Sequence, residues 1–72
     1  MVNVNKLKGK IVENGLSISD LAEKMGVDKT TLYRKISGNG ESFSIKDVNL
    51  IAQVLKLNIY EINNIFFSQY VA

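Results

Sequence analysis

The sequence predicts a small all-α domain of five helices around one core, with the second and third joined by a tight turn. Three observations carry this. Apolar residues recur three and four positions apart from Leu7 to Phe66, the spacing of one helix face. Ser or Asn followed three residues later by Asp or Glu opens three of the segments. Gly15 and Gly26 stand where the first two segments must end.

The first helix is expected from about Asn5 to Asn14, after a frayed or extended lead-in. Leu7 and Ile11, four apart, give its inner stripe, and Leu16 beyond Gly15 supplies the apolar contact of such a cap. Lys6, Lys8 and Lys10 occupy the rest of it, each either a solvated surface charge or a partner for an anion. Ser17 caps the second helix, with Asp20 as reciprocal partner. Leu21, Ala22 and Met25 face inward. Gly26 supplies the positive φ of the turn, Val27 packs across the corner, and Asp28 caps the third helix. Leu32 and Ile36 are that helix's inner stripe. Ala22 and Gly26 are small because the two helices must cross closely.

Lys29, Thr30, Tyr33 and Arg34 share the outer side of the third helix, at i, i+1, i+4 and i+5. Two cations, a hydroxyl and an aromatic ring with a polar tip suit the edge of a DNA groove. Arg can grip guanine O6 and N7 together, and a Thr methyl can touch a thymine methyl.

The spacing Leu21-Ala22-x-x-Met25-Gly26-Val27, followed by Leu32, resembles the helix-turn-helix of the Cro and lambda-repressor-like family, the XRE class. The resemblance runs from about Leu7 to Phe66, with the motif at about 17–37. It implies a lambda-repressor-like fold and a double-stranded DNA partner, bound by a homodimer on a palindromic operator. Three residues past Leu32 the family usually has an apolar residue. Here that position is Lys35, followed by Ile36, so either the helix end is rotated or the Lys35 stem is buried.

Ser37 to Ser42 reads as a loop on composition. In the resembled family it lies along the DNA backbone, where its N–H groups, with Ser42, would donate to phosphate. Glu41 opposes that role, and an ordinary connector is the alternative. Ser44 and Asp47 open the fourth helix. Ile45, Val48, Ile51, Ala52 and Leu55 form its expected buried stripe, widened by Leu50 and Val54, which makes this helix central to the core. Asn58 and Glu61 open the fifth, whose inner face is Ile62, Ile65 and Phe66. Phe67, Tyr70 and Val71 follow; they either cover the core or form a dimer contact.

Length and charge bound what such a domain does. The 72 residues are expected to form a single domain, 1–72. At this size folding buries only about 60% of the unfolded chain's surface, so stability is marginal. Net charge is only +2, but Met1 to Ile36 carries +3 and Ser37 to Ala72 carries −1. The positive charge therefore lies with the helix-turn-helix, as a one-sided footprint on a polyanion requires. There is no Cys and no His, which removes disulfides and thiolate or imidazole chemistry at a metal or nucleophile. The carboxylates read as caps and surface charges, so no enzyme, cofactor, metal or small-molecule substrate is expected. No apolar run approaches the roughly 18 residues of a membrane span, and no signal-peptide apolar region opens the chain. A cytoplasmic protein is expected.

These readings converge on a sequence-specific DNA-binding transcriptional regulator similar to a phage Cro-like repressor. Lys29, Thr30, Tyr33 and Arg34 would read bases; Lys10, Ser17, Ser19 and Ser42 would contact phosphate, Ser17 through the positive end of its helix. The alternative is a protein-interaction module on the same fold, an antitoxin or anti-repressor.

Overall fold

A computed structural model of the chain describes residues 2–38 and 43–67. Five helices follow in order: α1 (Val4–Glu13), α2 (Ile18–Met25), α3 (Lys29–Ser37), α4 (Ile45–Leu55) and α5 (Ile59–Phe66). Among the described residues there is no strand.

Local chemistry sets the helix starts. Ser17, Ser44 and Asn58 each accept from the N–H of the residue three positions on, and Asp20, Asp47 and Glu61 each accept the cap residue's own N–H. Each closure satisfies two of the donors that a helix N-terminus leaves without partners. Asp28 caps α3, accepting from Thr30 N–H at 2.9 Å and Thr31 N–H at 3.3 Å. Asn3, expected in a frayed lead-in, instead caps α1 by accepting from Lys6 N–H, and its own N–H donates to the Ile65 carbonyl at 2.6 Å. The chain start is thereby fastened to the end of α5.

Helix ends repeat one device. Gly15, Gly26 and Lys56 are in the left-handed region at φ +72, +74 and +54. The residue after each, Leu16, Val27 or Leu57, donates back to a carbonyl five positions earlier. All three are partly buried apolar residues packed on the core. Lys56 adopts this conformation with a Cβ, which costs about 1 kcal/mol relative to glycine.

Burial follows the inner stripes. Leu7, Ile11, Leu21, Leu32, Ile51 and Ile65 are the largest fully buried side chains. Helix α2 packs against both α3 and α4, while α5 packs against α1 and α4. The rings of Phe43 and Phe66 meet edge to face, centroids 6.0 Å apart.

One residue of the expected α4 stripe lies elsewhere. Ile45 is 80% exposed, whereas Asp47 is only 8% exposed. At about 100° per residue, Ile45 lies about 100° from the midpoint of Ile51 and Leu55, and Asp47 only about 60° from it. The inward direction is set by Ile51 and Leu55, so Ile45, at the first turn, points off the edge of the core. Asp47 is accepted there because its carboxylate is met by Ser44 and by Lys35.

Candidate nucleic-acid interface

The motif from Ser17 to Ser37 takes the form expected of it. The Ser17–Asp20 closure starts α2, Gly26 turns the chain, and Asp28 starts α3. Ala22 is 1% exposed and sits on α2, the helix that carries α3. That helix packs against α4 as well, and a single methyl at a buried position lets neighbouring helices approach closely.

Lys29, Thr30, Tyr33 and Arg34 are all exposed, Tyr33 to 46%. Arg34 lies about half a turn from the midpoint of Leu32 and Ile36, and so points straight away from the core. Among the described residues, no hydrogen bond or ion pair engages the side chains of these four. The face thus presents two cations, a hydroxyl and a phenol at once, on a rod that fits a major groove. Thr31 belongs to the same outward half and is equally exposed. The helical spacing that directs Arg34 outward places Thr31 about 60° from it, so Thr31 joins the set that the sequence motif alone does not single out.

Lys35 is half-buried, which resolves the alternative raised by its position: its stem is covered, and its Nζ donates to Asp47 Oδ2 at 2.7 Å. Burial pushes the Asp47 carboxyl up, but the Lys35 ammonium and the Ser44 N–H outweigh it, and the group ends below its ordinary 3.8.

At the N-terminus of α2, Ser17 is exposed and Ser19 half-buried. The Ser17 Oγ accepts from Asp20 N–H at 3.1 Å, and the Ser17 N–H donates to Asp20 Oδ2 at 2.9 Å. The Ser17 N–H, above all, holds the Asp20 carboxyl below its ordinary value. What remains for an anion here is the Ser17 hydroxyl proton and the N–H groups of Ile18 and Ser19. Ser42 lies outside the described residues.

Lys10 stands between two carboxylates. It pairs with Glu61 of α5 and, at 3.3 Å, with Glu13. The Glu61 contact, then the Glu13 contact, raises the Lys10 pKa above 10.5. Any phosphate would have to compete with both. Lys8 is differently placed: it lines a shallow apolar groove together with Ile11, Val12, Leu16, Ser17 and Ile18. Among the lysines of α1, Lys8 therefore shares a surface with Ser17. Composition had no means of ranking Lys8 above Lys10, because the Glu61 partner is supplied from the far end of the chain.

Among the described residues, no cluster of three or more carboxylates is placed to hold a metal, and no helix is long and apolar enough to cross a membrane.

A capped helix, a glycine turn and a second helix that directs free polar side chains outward define a helix-turn-helix DNA-binding domain. Residues 6–67 match the Cro/C1-type HTH DNA-binding domain, and the chain belongs to that family. No curated protein and no solved structure matches the sequence closely enough to count as similar.

Proposed function

We propose that this chain is a sequence-specific regulator of transcription that binds double-stranded DNA as a homodimer on a palindromic operator, in the manner of a phage Cro-like repressor. The observation that carries the reading is the outward face of α3, where Lys29, Thr30, Tyr33 and Arg34 are exposed without partners among the described residues. In this reading Arg34 grips a guanine edge, Thr30 and Tyr33 meet thymine methyls or sugar, and Lys29 enters beside them. Ser17, Ser19 and Ser42 donate to phosphate and set the register of the protein on the duplex. Lys10 joins them only by giving up Glu13 and Glu61. No cofactor takes part, and the protein acts by occupying its site.

Selection of bound duplexes from a random pool tests the proposal. A palindromic consensus, with affinity that falls steeply as salt rises, is the expected result. The competing role, binding another protein as an antitoxin or anti-repressor does, draws on the exposed Ile59 and Tyr60 of α5. It would be recognised by a protein complex that persists at high salt in the absence of any duplex preference.

A further inference from the structure

The C-terminal turn of α3 is tied to the first turn of α4 by one carboxylate. Asp47 Oδ2 accepts the Lys35 ammonium at 2.7 Å and the Ser44 N–H at 3.0 Å, while Ser44 Oγ accepts the Asp47 N–H at 3.1 Å. The group that closes the cap of α4 is therefore also the counter-ion of α3. It is well buried, and a buried carboxylate is tolerated only when its charge is met in this way.

Elsewhere α3 rests mainly on α2, through the apolar Leu32 and Ile36. Apolar contact is less directional than an ion pair, so a polar tie at the helix edge adds an orientational restraint to the packing of Leu32 and Ile36. Lys35 is the immediate neighbour of Arg34, about 100° round the helix.

We propose that Lys35 and Asp47 form a positioning pair for DNA recognition, setting the roll of α3 and with it the direction in which Arg34 meets the groove. The proposal rests on the DNA-binding reading above and deepens it. It differs in sign from the simpler idea that Lys35 is one more cation for the phosphate backbone. On that idea, neutralising Asp47 removes a repelling charge and frees Lys35, so every duplex should be bound more tightly. If the pair positions α3, neutralising Asp47 weakens binding to the preferred duplex.

The test compares Lys35→Met, Lys35→Arg, Asp47→Asn and the double variant Lys35→Met/Asp47→Asn. Binding is measured on the duplex selected by the unaltered protein and on a scrambled duplex, over a salt series, with thermal unfolding alongside. The double variant leaves no unpaired buried charge, so it keeps the comparison intact if a single variant unfolds. We expect Asp47→Asn, Lys35→Met and the double variant each to lose about tenfold on the preferred duplex and less than about threefold on the scrambled one. The double variant should lose no more than either single one, the salt slope should be unchanged, and Lys35→Arg should bind as the unaltered protein does. Tighter or unchanged binding by Asp47→Asn, or unchanged binding by the double variant, overturns the proposal. So does a Lys35→Met loss equal on both duplexes with a shallower salt slope, which marks a phosphate contact. Failure of the unaltered protein to bind any duplex overturns the underlying reading instead, and is seen before any variant is made.

Discussion

Replacing Arg34 with Ala separates the cost to folding from the cost to recognition. The side chain points straight away from the core, is exposed, and has no partner among the described residues. Its removal should therefore change stability by no more than about 0.5 kcal/mol, the range of surface substitutions that touch nothing. A bidentate grip on guanine, by contrast, is worth about 1–3 kcal/mol of discrimination. At about 1.4 kcal/mol per factor of ten, Arg34→Ala should bind the preferred duplex roughly 5- to 150-fold more weakly. The loss should fall at one base pair in each half-site and be far smaller on a scrambled duplex. Arg34→Lys restores the charge but not the planar fork, so specificity should stay reduced. The assay is titration of matched specific and scrambled duplexes at one salt concentration, with thermal unfolding as control. Equal losses on both duplexes would make Arg34 a backbone contact. No loss on either would remove it from the interface and favour a protein partner.

Three further outcomes are expected. Ala22→Leu should overpack the contact of α2 with α3 and cost about 1–3 kcal/mol, read as a lower thermal midpoint; an unchanged midpoint would mean that Ala22 is not at the crossing. Lys10→Ala should leave the salt dependence of duplex binding unaltered, because Glu13 and Glu61 already occupy the ammonium, and a slope shallower by about one unit would show that it reaches phosphate after all. The carboxyls of Asp20, Asp47 and Glu61 are held below their ordinary values of 3.8, 3.8 and 4.5, so the unfolded chain takes up their protons first as pH falls. Their stabilisation is thus complete above the ordinary carboxylate range and is lost as pH drops through the lower folded values, whereas that of Lys10, raised above 10.5, is complete below 10.5 and lost at more alkaline pH. A thermal midpoint that stays flat from about pH 6 to pH 2 would contradict the acid limb.

What could be read in the sequence divides by distance along the chain. The closures Ser17–Asp20, Ser44–Asp47 and Asn58–Glu61 were legible because both partners lie within four residues. The outward direction of Arg34 was legible for the same reason, since helical spacing relates it to Leu32 and Ile36. Ile45 lies outside the core although the pattern puts it inside, because a wide apolar stripe does not reveal which of its edges meets the core; Ile51 and Leu55, both buried, decide that. Lys35 stood out as a charge in an apolar position, but its partner comes from another helix, twelve residues on. Lys10 is the extreme case. Its role depends on Glu61, which no local pattern connects to α1.

The three reciprocal caps and the three left-handed stops carry a consequence for how the chain reaches this structure. Each is complete within about six residues, so it can close before any two helices have met. A helix with such a boundary begins and ends at one place only, which removes the frayed and shifted alternatives that a growing helix would otherwise sample. The search left to the chain is then the docking of segments of known length. Helical domains dominated by local contacts fold in microseconds to milliseconds. Among the six boundaries, the stop at Lys56 is the one made by a residue ill suited to it. Lys56→Gly should accordingly relieve that cost and raise the thermal midpoint, and an unchanged or lower midpoint would show that the left-handed stop is not strained.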